Sequence, residues 1–384
     1  MRNTLRIMIV AGEASGDGHA GRLVRALRNE RPETHFEFFG AAGPKMREAG
    51  VEAVVESDGL SIVGLAEIGR ALPMFLRASR DLRAAAARRK PDVVVLVDFP
   101  DFNLKLAKSL KKLGLKIVYY ISPQLWAWRK YRTKTVRNSV DLMLAILPFE
   151  QAWYAQHGVS HVEYVGNPLA REVHADQSKE EFCRDHGLDS SQPIISLLPG
   201  SRNKEIVRIL PVMMDAAASI ASTIPSAQFV IAVSSSPNRQ DVEMVLGKQK
   251  ERGSYLIVEN ETYNCLNASE AAAVTSGTAT LETAIIGTPM AVVYKTSALN
   301  YFLLERFIDV QHYGLVNLIA GERVARELIQ SDFTADAVAG EILELLEPEN
   351  NAAMRVKLKA VSEKLGHGGA SRRAAQAILR TMEN

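Results

Sequence analysis

Cysteine is scarce: Cys183 and Cys265 are the only two in 384 residues. Two thiols cannot build a disulfide framework. The pair fits a reducing compartment, with both side chains expected buried or half-buried. Long apolar runs are missing too. No stretch of 18 consecutive apolar residues occurs, which argues against a membrane-spanning helix. The apolar stretch near the start, Leu5–Val10, is short and runs straight into Gly12-Glu13. It reads as a first β-strand rather than a secretory leader. A Gly-Lys-Ser/Thr phosphate loop is lacking, so the P-loop reading loses support. The eight histidines suggest no metal cage, and no Asp-x-Asp motif occurs. Asp98-x-x-Asp101 has the wrong spacing for one. No cofactor and no metal is therefore expected. RNP-type, KH-type and zinc-finger patterns are also lacking, so nucleic acid is not an expected partner.

What is present is ordinary globular composition, 47% apolar and 23% charged, over a length that suits two or three domains. The net charge of +2 hides an asymmetry. Residues 1–167 carry 25 Lys/Arg against 17 Asp/Glu, whereas residues 168–384 carry 21 against 27. A basic first half fits an anionic partner, such as a phosphorylated ligand or an acidic membrane surface.

The first half alternates strand and helix signals. Strands are expected at Leu5–Val10, Glu37–Gly40, Val93–Asp98, Ile117–Ile121, Leu142–Ile146 and Val162–Val165. Helical stretches such as His19–Asn29 and Asp81–Arg89 lie between them. A run like Val93-Val94-Val95-Leu96-Val97 is apolar without alternation, as in a parallel strand covered on both faces. The pattern predicts a doubly wound α/β sheet. A boundary falls near Gly166-Asn167-Pro168, and then the pattern restarts with Ile194–Leu198, Gln228–Val233, Ser254–Val258, Ala271–Thr275 and Met290–Tyr294. The tail from Asn351 to Met382 reads as two helices parted at Gly366–Gly369.

Four strand ends carry candidate chemistry. Gly12-Glu13-Ala14-Ser15-Gly16-Asp17 follows the first strand; a glycine turn there lets backbone approach a ligand, and the helix behind it favours an anion. As read from Gly12 it is not G-x-G-x-x-G, so a nicotinamide dehydrogenase loses support. Asp98-Phe99-Pro100-Asp101-Phe102-Asn103 sits where open α/β sheets bind ligands. An acid among apolar neighbours suits a general base, although Asp98 also suits loop hydrogen bonding, and Asp101 suits helix capping. Leu198-Pro199-Gly200-Ser201-Arg202 offers an Arg fork to a diphosphate, or an ordinary surface turn. Thr275-Ser276-Gly277-Thr278-Ala279-Thr280-Leu281-Glu282 exposes small residues at a strand-to-helix turn, with Glu282 one turn in, able to accept from ribose hydroxyls. Trp126 and Trp128, after Ser122-Pro123-Gln124, suit either ligand stacking or packing. Leu65, Ile68, Leu72, Phe75 and Leu76 share one face of a helical projection, opposite Arg70 and Arg77. This stretch reads as an amphipathic core helix or as one lying in a membrane interface, with Pro73 expected to kink or split it.

Taken together, these blocks resemble the lipid-A-disaccharide synthases. Ala11–Asp17, Gly43-Pro44-x-Met46, Asp98–Asn103, Ser122-Pro123-Gln124-x-Trp126-Ala127-Trp128-Arg129, Leu147-Pro148-Phe149-Glu150, Leu198–Arg202, Ser276–Glu282 and Val316-Asn317-Leu318-Ile319-Ala320-Gly321 come in the family's order. Gly166-Asn167-Pro168 varies the family's more usual Gly-His-Pro. The resemblance implies a GT-B fold of two Rossmann-like domains facing a cleft. Residues 1–167 would form the acceptor and membrane-facing domain and residues 168–350 the UDP-sugar domain. The helices of 351–384 would cross back to the first.

It also implies an inverting transfer of 2,3-diacylglucosamine from its UDP form to 2,3-diacylglucosamine 1-phosphate, giving a β(1→6) disaccharide 1-phosphate and UDP. Asp98 would then be the catalytic base. Glu13, Ser15, Gly16, Asp17, Asn103 and Gln124 would serve the acceptor and sugar. Gly200, Ser201, Arg202, Ser276, Gly277, Thr278, Ala279, Glu282 and Asn317 would hold the nucleotide. Because both substrates are acylated, Leu60, Ile62, Val63, Leu65, Ile68, Leu72, Phe75 and Leu76 become membrane-facing, on the cytoplasmic face of the inner membrane. Tyr301–Leu304 with Phe307 and Ile308 form a second candidate surface, and a homodimer stays open. Two rivals stand beside this reading. One is another GT-B enzyme of UDP-GlcNAc, an epimerase or a peptidoglycan-type transferase; the other is a non-catalytic sugar-nucleotide-binding protein at a membrane surface.

Overall fold

The computed structural model describes residues 4–58, 68–247, 255–297 and 312–383. The chain divides into two compact units. One comprises Met1–Pro168 with His367–Asn384, the other Leu169–Gly366.

The first unit is built on β1 (Thr4–Ala11), β2 (His35–Ala42), β3 (Glu52–Glu56), β4 (Val93–Val97), β5 (Ile117–Tyr120), β6 (Leu142–Ala145) and β7 (Val162–Tyr164). Its sheet order is β3-β2-β1-β4-β5-β6-β7, and every pairing is parallel. The helices between them are α1 (Ala14–Glu30), α2 (Pro44–Glu48), α3 (Ile68–Arg89), α4 (Pro100–Lys111), α5 (Thr133–Ser139) and α6 (Glu150–Gln156). All five residues of β4 are buried, because helices cover both faces of the sheet. Alternate residues of β1 feed two separate cores: Ile7, Ile9 and Ala11 pack toward Ala20, Leu23 and Leu27 of α1, while Met8 and Val10 pack toward Leu82, Ala85 and Ala86 of α3.

The second unit opens with α7 (Leu169–Glu172) and α8 (Lys179–His186), then β8 (Ile194–Leu198), α9 (Asn203–Thr223), β9 (Gln228–Val233), α10 (Ser236–Leu246), β10 (Tyr255–Glu259), α11 (Thr262–Ala268) and β11 (Ala271–Thr275). It continues with α12 (Ala279–Ile286), β12 (Met290–Tyr294), α13 (Leu315–Ala320), β13 (Glu327–Ile329), α14 (Ala335–Leu346) and α15 (Pro348–Lys364). Its sheet, also all parallel, runs β10-β9-β8-β11-β12-β13. Helix α9 is long and apolar enough by composition to cross a membrane. Its apolar stripe, including Ile206, Ile209, Leu210, Met213 and Ile220, is buried inside the unit.

The last helix, α16 (Ala370–Glu383), belongs to the first unit. Ala374, Ala375, Ile378 and Leu379 join the core beside α1. Burying two such aliphatic side chains contributes roughly 1.5–3 kcal/mol each. Arg373 adds a hydrogen bond from Nε to the Val165 carbonyl (2.8 Å). The two tail helices therefore part company, contrary to the expectation that all of 351–384 would pack on the first domain. Helix α15 stays with the second unit: Asn351 donates to the Glu270 carbonyl (2.9 Å), Arg355 to the Gly287 carbonyl (2.8 Å), and Leu358 is fully buried. The division comes at Gly366, Gly368 and Gly369, whose φ values of +87°, +80° and +76° glycine adopts at little steric cost.

Three further local features bear on the expectations. Helix α3 is not split at Pro73, which lies within its unbroken span. Helix α1 begins at Ala14, so Gly16-x-Gly18-x-x-Gly21, which has dinucleotide-type spacing, lies within the helix and forms no phosphate turn. Gly21 instead allows close packing, since a Cβ there would meet the Lys45 carbonyl at 2.9 Å. Strands β3 and β13 were not expected because Glu52-Ala53-Val54-Val55-Glu56 and Glu327-Leu328-Ile329 are short and begin on a glutamate, without a strong apolar run.

Candidate active site

In each unit the strand order reverses at one point, between β1 and β4 and between β8 and β11. Ligands of open α/β sheets bind just beyond the carboxyl ends of the strands at such a point. In the first unit the register pairs Ala11 with Val97, which brings Gly12 and Asp98 to the same edge.

The chain leaves β4 through two consecutive left-handed residues, Asp98 (φ +48°) and Phe99 (φ +52°). Such conformations cost a non-glycine residue roughly 1–3 kcal/mol each and persist only when neighbours enforce them. Here the enforcement is specific. The Asn103 side-chain amide donates to the carbonyls of Val97 (3.2 Å) and Asp98 (2.8 Å). The Tyr119 hydroxyl donates to the same Asp98 carbonyl (2.6 Å). The Phe99 ring lies where a Cβ on Gly12 would be, 2.2 Å from its nearest ring carbon, and packs on Phe75 and Phe102. Only glycine at position 12 lets that ring in.

The half-buried Asp98 carboxyl is pushed up to about 6, first by burial and then by the negative charge of Glu13, with the Phe99 amide opposing. A carboxylate of that basicity is still mostly ionised at neutral pH, yet accepts a proton more readily than an ordinary aspartate.

The neighbours expected to serve an acceptor fall into two groups. Glu13, Ser15 and Gln124 are exposed, and Gly16 lies against this edge, its Cβ position 3.9 Å from the Asp98 Cβ. Asp17 is not free for a ligand, and neither is the Asn103 amide nitrogen, although Asn103 Oδ1 is buried without a partner among the described residues. Asp17 is buried, and its carboxylate accepts from the amides of Gly43 (3.0 Å), Met46 (3.1 Å) and Lys45 (2.8 Å) at the start of α2. It caps that short helix, which explains why Gly43-Pro44-x-Met46 accompanies it. Asn103 is fully buried and spends its amide on backbone. Asp101 is clasped by Arg129 (2.7 Å) and Arg132, and Arg129 lies over the Trp128 ring at 3.9 Å. Trp126 is buried and donates to Glu150 (3.1 Å). Burial raises the Glu150 carboxyl to about 7, against the pull of Ser122, the Leu147 amide, Trp126 and the Ile146 amide.

In the second unit, the ends of β8, β9 and β11 enclose a pocket lined by Gly200, Ser201, Arg202, Ser276, Gly277, Thr278, Ala279 and Glu282. Gly200 (φ +105°) and Gly277 (φ +148°) supply turns that a side chain would strain. Helix α12 follows Thr278 directly, so its first-turn amides border the pocket with positive partial charge. Arg202 extends into solvent and pairs with Glu205 (2.8 Å). Six lining residues lie outside the expected nucleotide set: Leu198, Glu205, Ala232, Ser234, Thr262 and Thr275. The hydroxyl run after β9 is the available signal for Ser234. Asn238 accepts from Ser234 and Ser235 and donates to the Ser201 carbonyl (2.8 Å), tying that run to the Arg202 turn.

Asn317 does not line the pocket. It is fully buried, donating to Ala325 (2.7 Å) and Glu327 (2.9 Å) and accepting from the amides of Val324 and Ala325 (both 2.9 Å). Its hydrogen-bonding capacity is spent on the protein. Glu327 in turn holds the amides of Tyr313 and Gly314, and the Ser276 hydroxyl donates to the Tyr313 carbonyl (2.9 Å). Asn317 thus braces the segment behind the Ser276 turn.

Of the expected membrane-facing set, Leu60, Ile62, Val63 and Leu65 lie outside the described residues, as do Tyr301–Leu304, Phe307 and Ile308. Ile68 lies in α3. Leu72 and Leu76 are 52% and 63% exposed, with Met74 between them at 37%. Phe75 turns inward onto Phe99 and Phe102, so it belongs to the core and not to the exposed face.

Among the described residues no three His, Cys, Asp or Glu side chains gather as a metal cage. His157 and His161 stand four apart, but α6 ends at Gln156, so helical spacing does not align them. His157 instead stacks on Trp153.

Known proteins resemble this chain over nearly its whole length. The profile of the family described as Lipid-A-disaccharide synthetase matches residues 7–381. The lipid-A-disaccharide synthase of Trichlorobacter lovleyi is 42% identical over 382 residues, covering 98% of each chain. Among solved structures, UDP-GlcNAc 2-epimerase from Neisseria meningitidis bound to UDP-GlcNAc aligns with a TM-score of 0.63 at 12% identity, covering 98% of this chain and 99% of that one. A glycosyltransferase from Rickettsia africae aligns with a TM-score of 0.59 at 11% identity, covering 100% and 98%. At such identities these two likenesses bear on fold alone.

Proposed function

The chain belongs to the lipid-A-disaccharide synthase family, and on that premise we propose how its residues divide one glycosyl transfer. It is a glycosyltransferase of lipid A biosynthesis, with a UDP-sugar and a lipid acceptor as substrates. The reaction joins the 6-hydroxyl of 2,3-diacylglucosamine 1-phosphate to the anomeric carbon of UDP-2,3-diacylglucosamine. One C–O bond forms as the bond to UDP breaks, and a single displacement inverts the configuration.

Asp98 accepts the proton of the attacking hydroxyl. Its strained, anchored backbone is the observation that carries this assignment: a motif that spends Asn103, Tyr119 and Gly12 on fixing one acid has reason to aim it. Glu13 keeps that acid basic and orients sugar hydroxyls. In the pocket of the second unit, Arg202 and the first-turn amides of α12 stabilise the diphosphate charge that develops as UDP leaves. Glu282 accepts from the ribose. Arg202 exchanges its Glu205 partner for phosphate oxygens, a stronger match for a guanidinium fork.

Both substrates carry acyl chains, so the enzyme works at a membrane surface. Exposed Leu72, Met74 and Leu76 enter the interface, and the surplus of basic residues in 1–167 meets anionic headgroups. Its location is the cytoplasmic face of the inner membrane.

The test is UDP release by purified protein given both acylated substrates in EDTA. Release that needs both substrates and vanishes in Asp98→Ala supports the assignment. Equal release by that variant refutes the base, and release only on adding Mg²⁺ refutes the metal-free transfer.

A further inference from the structure

The Glu282 carboxylate has a partner from another helix. The Tyr263 hydroxyl, on α11, donates to Glu282 Oε1 at 3.0 Å. Thr262, the residue before it, lines the nucleotide pocket, so α11 borders the same space that Glu282 enters. Glu282 has three side-chain torsions and sits one turn into α12, where it would otherwise choose among several directions. Tyrosine, with a rigid ring and two torsions, removes that choice.

We propose that Tyr263 is a positioning residue that fixes Glu282 for the ribose diol and so sets the preference of the pocket for ribonucleotides over deoxyribonucleotides. The chemistry is that of a bidentate acceptor. A carboxylate offers about four lone-pair positions on two oxygens. Tyr263 occupies one on Oε1, which leaves Oε2 and the rest of Oε1 for two vicinal hydroxyls. A 2′-deoxyribose presents one donor fewer, and a fixed carboxylate cannot swing to compensate. An unfixed one can, and discrimination falls.

The other acid acting on the Tyr263 hydroxyl is Glu172, whose negative charge, like that of Glu282, holds the phenol protonated; burial is the larger cause, and the phenol stays a donor. Burial raises the Glu282 carboxyl, and the hydrogen bond from Tyr263 opposes that shift, favouring the acceptor form that a diol requires.

This inference rests on the reading of Glu282 as the ribose acceptor, and the experiment separates the two. UDP and 2′-deoxy-UDP are titrated calorimetrically into the wild-type chain, Tyr263→Phe and Glu282→Ala, with melting temperatures recorded without nucleotide. The wild type is expected to prefer UDP by roughly tenfold, the effect of one hydrogen bond to a charged group. Tyr263→Phe should bind UDP several-fold more weakly and lose most of the preference; with substrates, KM for the UDP-sugar should rise while kcat holds. If Tyr263→Phe weakens both nucleotides equally while Glu282→Ala abolishes the preference, the role of Tyr263 is structural and the proposal is overturned. If Glu282→Ala keeps the preference, the ribose reading itself fails and takes the proposal with it.

Discussion

Replacing Asn103 with Asp keeps the shape of the side chain and removes the donor that holds two carbonyl oxygens. In the native chain that amide bonds both Val97 and Asp98 from a fully buried position. The variant turns a carboxylate oxygen toward them. The Asp98 carbonyl keeps the Tyr119 hydroxyl, while the Val97 carbonyl loses its side-chain donor. Losing a buried partner costs about 1–3 kcal/mol, and two left-handed residues no longer enforced are free to relax and let Asp98 shift. A stability loss of about 1–3 kcal/mol follows, to be read from urea unfolding. The kinetic effect should be larger than stability explains. A displacement of about 1 Å at a reacting group can cost about 100-fold, so kcat should fall by about that factor at a temperature where the variant is folded. KM for the UDP-sugar should hold, because the nucleotide pocket is built from other strands. A variant that loses stability but keeps kcat would refute the claim that Asn103 aims Asp98. A raised nucleotide KM with intact kcat would refute the assignment of Asn103 to the Asp98 turn.

Three other outcomes follow from the same geometry. Asp17→Asn loses acceptor capacity for three amides of α2, so the melting temperature should drop while acceptor KM stays unchanged; a raised KM without loss of stability would return Asp17 to the substrate. Serine at Leu72, Met74 and Leu76 together should weaken binding to anionic vesicles at unchanged melting temperature, whereas Phe75→Ser should destabilise the fold; the reverse pattern would show that the exposed three are core. The raised Glu150 carboxyl means the native state holds a proton that the unfolded chain has released, so stability is fully present below the usual 4.5 and is lost as pH rises through about 7. Glu150→Gln should flatten that slope in denaturation curves taken across the window, and an unchanged slope would assign it to other groups.

The sheets were legible because parallel strands covered on both faces write themselves as unbroken apolar runs, as in Val93–Val97 and Ala271–Thr275. Short strands that begin on a charged residue write a weaker signal, hence the omission of β3 and β13. At the sites, the sequence identifies which polar residues cluster at strand ends but not where their polar atoms point. Asp17, Asn103 and Asn317 look like ligand contacts for that reason. Each turns out to satisfy backbone groups of the protein, and for Asp17 distance in sequence hides the need, since it serves amides 26 to 29 residues away. The reverse error hides Tyr263, an ordinary helical tyrosine until α11 and α12 meet. The split of the tail had a visible cue in Gly366–Gly369, but composition alone does not say which sheet each helix covers.

The pH profile of kcat/KM for the acceptor tests the role of Asp98 most directly, since it reports the ionisation of the free enzyme. The carboxylate is the active form, so the rate should climb with pH by about tenfold per unit below about 6 and level above it, while the affinity for UDP alone stays level and Asp98→Asn shows neither climb nor plateau. A rate constant across that range, or an Asp98→Asn chain that still turns over at a comparable rate, would contradict it.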